Sequence, residues 1–229
     1  LHKNSTLCLG VSMRIISFIA ITFLFTLSSY GKAEIITRSI DGNNVVFMNG
    51  AIEKGDMQRL VSLPIDWKRT IVLLNSDGGS TGDAIVISAF LVTKKIVTLV
   101  LPDHRCMSEC ALIWLSGFTK MLANSSIVGF GDSAYELNDE EKQLIGPMFL
   151  GEQFDPNISG LGFIAVGALL QKGLGLDFGF VSEFLTENAQ SPKYLNKADF
   201  DKYGIAVLYE NDESGEFRNA LRASGILSD

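Results

Sequence analysis

What most constrains this chain is an apolar strand that ends in two glycines and runs straight into a helix. Arg69-Thr70-Ile71-Val72-Leu73-Leu74 is a continuous apolar, β-branched run, and strands buried on both faces of a parallel sheet read this way instead of alternating. The turn Asn75-Ser76-Asp77-Gly78-Gly79 follows at once. Behind it Ser80 can cap a helix, with Asp83 three residues on. Ala84, Ile85, Ile87, Ser88, Leu91 and Val92 then recur near helical spacing until Lys94-Lys95 close the segment.

The rest of the chain continues the alternation. Val45 to Met48 reads as a buried strand before the turn Asn49-Gly50, and Asp56 to Leu63 as a short helix. Ile96 to Leu101 is a second β-branched strand. Pro102 to Met107 then leads into the apolar segment Cys110 to Leu115, which ends at Gly117 and is short enough to be helix or strand on periodicity alone. Ser125 to Phe130 is a further strand, and Asp139 to Leu144 a charged surface helix. Residues 146–162, rich in Gly and Pro, give no clear pattern. Phe163 to Leu170 and Phe178 to Leu185 read as helices, and Asn196 caps a last one that Gly204 ends before the strand Ile205 to Leu208. No internal repeat is present. Strands alternating with helices predict an α/β fold with a mostly parallel sheet and right-handed crossovers.

The N-terminus reads as a leader. Met13-Arg14 precedes the apolar run Ile15 to Leu27, and small residues at Gly31 and Ala33 offer a cleavage site before Glu34. At 13 residues the run is too short for a helix crossing about 30 Å of hydrocarbon. The expectation is a signal peptide over 1–33, with a start at Met13 restoring a short basic region, then one domain over 34–210 and a polar tail over 211–229. That tail carries a weak amphipathic turn near Phe217 to Leu221. No membrane span would remain after cleavage, and the chain would be secreted, to the periplasm in a bacterium.

Losing 1–33 removes Lys3, Arg14 and Lys32 and no acid, which leaves 16 basic residues against 26 acidic ones. An acidic body without a Lys/Arg cluster argues against nucleic acid and against anionic lipid surfaces. Cys106 and Cys110 can oxidise in an exported protein. Four residues apart across a strand-to-helix junction is nevertheless a marginal geometry, so two buried thiols are expected. No metal or organic cofactor is implied.

Chemistry points to two places. The Gly78-Gly79 turn should present backbone N–H groups that nothing local satisfies, and such donors suit a developing oxyanion. Ser108 lies between a strand and an apolar segment, where an ordinary N-cap is the plain explanation. A glycine loop after one strand and a serine after the next would be side by side in a parallel sheet.

Leu74-Asn75-Ser76-Asp77-Gly78-Gly79-Ser80, followed by Cys106-Met107-Ser108-Glu109-Cys110-Ala111-Leu112-Ile113-Trp114-Leu115-Ser116-Gly117, resembles the Clp-protease-like branch of the ClpP/crotonase superfamily, particularly its exported bacterial members. The resemblance runs from about Val45 to Val207 and includes Ala198-Asp199-Phe200-Asp201-Lys202-Tyr203-Gly204-Ile205. It implies a crotonase/ClpP-like fold, self-association into a homo-oligomer, and a peptide or protein substrate. It also implies a serine hydrolase in which Ser108 is the nucleophile, the amides of Gly79 and Glu109 hold the oxyanion, and Gly78 shapes the loop. The acyl-thioester chemistry of crotonases uses paired amides too, but an exported protein would not normally meet coenzyme A.

The resemblance also shows what is missing. Gly131 stands where the family's catalytic histidine would follow the strand, and the aspartate position falls near Ser191-Pro192. His104 is separated from Ser108 by about 13 Å of extended backbone and reads as a loop histidine. Asp132 is a conceivable substitute but a poor base for a hydroxyl. Two readings follow: a peptidase with a degraded triad, or a non-catalytic protein that uses the same cleft or sheet to bind peptides or assemble.

Overall fold

The computed structural model describes residues 33–40, 42–131, 135–151, 155, 160–185, 191–211 and 215–223. The leader expected over 1–33 and Asp132 therefore lie outside the described residues, apart from Ala33. Among the described residues no helix is long and apolar enough to cross a membrane.

Strands β1 (Glu34–Ile40) and β2 (Asn43–Asn49) form an antiparallel hairpin. After the short helix α1 (Asp56–Val61), the apolar run forms β3 (Thr70–Asn75), parallel to β2. Helix α2 (Thr81–Lys94) starts where the sequence places it, with the Ser80 hydroxyl accepting the Asp83 N–H, and ends on Lys95 in the left-handed region at φ 55°. The chain continues through β4 (Val97–Val100), β5 (Arg105–Met107), α3 (Glu109–Leu115), β6 (Thr119–Leu122) and β7 (Ile127–Phe130). It then passes through α4 (Asp139–Leu150), α5 (Leu161–Ala168) and α6 (Phe178–Phe184). The last elements are β8 (Lys193–Tyr194), α7 (Lys197–Lys202) capped by Asn196, β9 (Val207–Tyr209) and α8 (Glu216–Ala223).

These strands make two sheets. The larger has the order β1-β2-β3-β4-β6-β9 and is parallel except for β1. The smaller has the order β5-β7-β8. The diglycine turn lies at their junction. Ser76 forms a parallel bridge with Cys106, its N–H donating to the Arg105 carbonyl at 2.8 Å and its own carbonyl accepting the Met107 N–H at 2.9 Å. On the other side Ile52 bridges Gly79. The neighbour that brings the serine to the glycines is thus β5 of the second sheet, and not the strand directly following β3. A strand as short as Arg105–Met107, entered from a Pro-Asp turn, carries no periodic signal of its own.

Burial explains the unbroken apolar run of β3. Val72 and Leu74 face the main core, together with α2 and the wholly buried α3, while Ile71 faces the opposite side of the sheet. Leu99 and Met121 face that side too, and Phe217 and Leu221 of α8 cover them. The weak amphipathic turn near the C-terminus is therefore a helix that closes the second face. Other boundaries also differ: α4 runs on to Leu150 through Pro147, and α5 starts at Leu161 and continues into a π-turn over Leu169–Gly173. Truncating Phe217 to Ala should cost about 3 kcal/mol of unfolding free energy in a denaturant titration. A loss below about 1 kcal/mol would show that α8 does not close the sheet.

Candidate active site

Ser108 occupies the single residue between β5 and α3, with φ 54° and ψ −116°. A non-glycine residue at positive φ is strained and persists only where its surroundings over-determine it. Here the Ser108 N–H donates to the Gly129 carbonyl at 2.8 Å, fixing the turn to β7. The hydroxyl makes no capping bond to α3, which removes the plain N-cap explanation. Instead Ser108 Oγ accepts the Gly131 N–H at 3.1 Å.

The same turn corrects the expectation of free thiols. Cys106 and Cys110 form a disulfide with their Cα atoms 5.0 Å apart, and both are fully buried. An extended approach to a helix would hold the two too far apart. The reversal at Ser108 folds the chain back and brings them within bonding range. The nucleophile candidate therefore sits at the tip of a covalent loop.

Gly78 and Gly79 have φ +112° and +143°, which side chains rarely adopt. They also leave no room for one. A Cβ on Gly78 would lie 3.1 Å from Ser108 Cβ, and one on Gly79 would lie 2.1 Å from the Ile52 carbonyl oxygen. The glycine turn and the serine are thus in direct contact, as the two motifs together imply.

Their amide groups, however, are not left over. Gly78 N–H donates to Ser76 Oγ at 3.1 Å, and Gly79 N–H donates to Glu109 Oε2 at 3.0 Å. The other oxygen, Glu109 Oε1, accepts the Thr81 hydroxyl at 3.1 Å, and the residue is 2 % exposed. This partner is not local: Glu109 is thirty positions away in the chain. The available signal was an acid set alone in the apolar stretch Cys106 to Leu115. Tyr135 is a second residue that the motifs do not reveal. It is buried, its hydroxyl has no hydrogen-bond partner among the described residues, and burial pushes its phenol above the ordinary tyrosine range, with the Glu109 carboxylate adding to the shift.

The positions at which the resemblance implies a base, and His104, lie among the described residues as well. A Cβ on Gly131 would lie 3.0 Å from Ser108 Oγ, so a side chain there would face the serine, yet glycine supplies only its N–H. His104 is half-buried, with Nδ1 2.7 Å from the Pro102 carbonyl oxygen in the N–H-donating tautomer. It also packs edge-on to Phe47. The histidine is a loop residue, as its sequence position suggests. Ser191-Pro192 lead into β8, which pairs with β7. Among the described residues no cluster of His, Cys, Asp or Glu could hold a metal ion.

No family model matches this sequence, and no curated protein matches it. Among solved structures the chain is similar to a putative polyketide-biosynthesis enoyl-CoA hydratase from Bacillus subtilis, with a TM-score of 0.50 at 8% identity over 84% of this chain and 78% of that one. The chain has the ClpP/crotonase fold. It is also similar to ClpP1 from Listeria monocytogenes, with a TM-score of 0.46 at 15% identity over 74% of this chain and 93% of that one. A membrane-bound stomatin-specific protease gives 0.47 at 16% identity over 78% and 82% of the two chains. In this ClpP/crotonase-fold chain the disulfide has a direct chemical readout. In denaturant without reductant, iodoacetamide should leave Cys106 and Cys110 unmodified by mass spectrometry, and prior reduction should expose both. Alkylation of the pair without reductant would contradict the bridge.

Proposed function

We propose that this chain is an exported serine hydrolase of the peptidase type, with Ser108 as nucleophile and a triad that has lost its usual base. The backbone of Ser108 carries the reading. A strained residue costs on the order of 1–3 kcal/mol, and a serine needed only to cap a helix would have no use for that conformation. The turn keeps the hydroxyl out of the capping position and on the Gly131 N–H, with the Ser108 Cβ beside the diglycine turn, as a strand-to-helix nucleophile turn would. In the reaction Oγ would bond to the acyl carbon, the carbonyl oxygen would become anionic near the Gly79 amide, and the serine proton would pass to the departing amine. Export is supported by the leader-like N-terminus and by a buried disulfide, which persists in an oxidising compartment.

Two observations favour the second reading, a peptide-binding or assembly protein without catalysis. Position 131 offers no side chain to the serine, and the Gly79 N–H is already engaged. A fluorophosphonate probe separates the readings. Labelling of the wild type and not of Ser108→Ala supports the hydrolase. Absent labelling, with peptide binding unchanged in that variant, supports the binding protein.

Self-association, implied by the resemblance, is supported by Leu144 and Met148, one turn apart and exposed on α4. Analytical ultracentrifugation should show an oligomer that Leu144→Glu with Met148→Glu dissociates. A wild-type monomer would remove the proposal.

A further inference from the structure

Glu109 is a buried carboxylate beside a serine, and its position is that of a ligand. Burying a charged or polar group is tolerated when it is hydrogen-bonded, and here the Gly79 N–H and the Thr81 hydroxyl serve the two oxygens. A methyl group built on Gly78 would lie 2.5 Å from Glu109 Oε2 and 3.1 Å from Ser108 Cβ. The carboxylate and the nucleophile candidate therefore border the same small volume. A backbone donor holding a carboxylate at the border of the serine describes a receptor for an oxyanion.

We propose that the Gly79 amide is a receptor site for a carboxylate or acyl oxyanion and that Glu109 is its resident internal ligand, so that an acyl group gains the amide only by displacing Glu109. The catalytic consequence rests on Ser108 being a nucleophile; the occupancy does not. A hydrogen bond to an anionic acceptor is about twice as strong as one to a neutral carbonyl. A substrate's ground-state carbonyl is therefore the weaker competitor for the amide. The oxyanion that follows is a comparable acceptor but is repelled by a carboxylate left nearby, in a site too dry to screen it. Departure of Glu109 and entry of the oxyanion are accordingly coupled.

The test compares the full chain as wild type, Glu109→Ala and Glu109→Gln. The ¹H–¹⁵N resonance of Gly79 is followed during titration with sodium acetate, and fluorophosphonate labelling rates are measured in parallel. In Glu109→Ala the Gly79 amide proton should move upfield and then respond saturably to acetate, while the wild type does not respond. Labelling should rise about tenfold, the effect of one charge-assisted hydrogen bond, and acetate should reverse the rise. Glu109→Gln keeps the shape and provides a folded comparison: its Gly79 proton should also move upfield, by less. An unmoved Gly79 resonance in both variants, or an equal acetate response in wild type and variants, overturns the proposal. A Gly79 amide that gains its acetate response while Ser108 stays unlabelled supports the receptor and sinks the nucleophile.

Discussion

The candidate site depends on one short piece of backbone pairing, the bridge between Ser76 and Cys106. Its two hydrogen bonds, at 2.8 and 2.9 Å, join the end of a strand in the large sheet to a strand in the small one. Without that bridge the glycine turn would belong to one sheet and the serine to the other, with nothing to hold them in contact. The constraints around it act in the same direction. Ile52 holds the glycine turn from behind, Gly129 holds the serine amide, and the disulfide closes the loop on which Ser108 sits. Strain at Ser108 is tolerable because each neighbouring position is independently fixed.

Glu109 extends this logic from backbone to charge. Its carboxylate links the glycine turn, the first residue of α2 and the serine turn. It thereby stabilises the junction in the free protein and, by the same contacts, occupies the donor that acyl chemistry would require. One residue thus couples the stability of the site to its availability. Position 131, a glycine, brings only its N–H to the serine, so the side-chain charge in this junction comes from Glu109 among the contacts described.

Much of this was legible in the sequence because it depends on local patterns. The run Arg69 to Leu74, the glycine pair and the Ser80–Asp83 cap make a strand, turn and helix whose limits hold to within a residue. The contact between Gly78 and Ser108 followed from two motifs taken together, although β5 supplies it through a sheet that no periodicity announced. The rest was hidden for physical reasons. Thr119-Lys120-Met121-Leu122 has no apolar run, and β1 is exposed along most of its length, so neither carries a strand signal. The disulfide depends on the reversal at Ser108, a backbone angle that residue types do not encode. The engagement of the Gly79 amide depends on a side chain thirty positions away.

The central claim is that the Ser108 hydroxyl and the Gly79 amide face one point and that Glu109 stands there in the free protein. A crystal structure of the full chain after reaction with a fluorophosphonate tests it most directly. The expected result is phosphorus on Ser108 Oγ, a phosphonyl oxygen within hydrogen-bonding distance of the Gly79 nitrogen, and the Glu109 carboxylate moved off that amide. Phosphorus on another residue, or an adduct oxygen pointing away while Glu109 keeps its contact with Gly79, would contradict it.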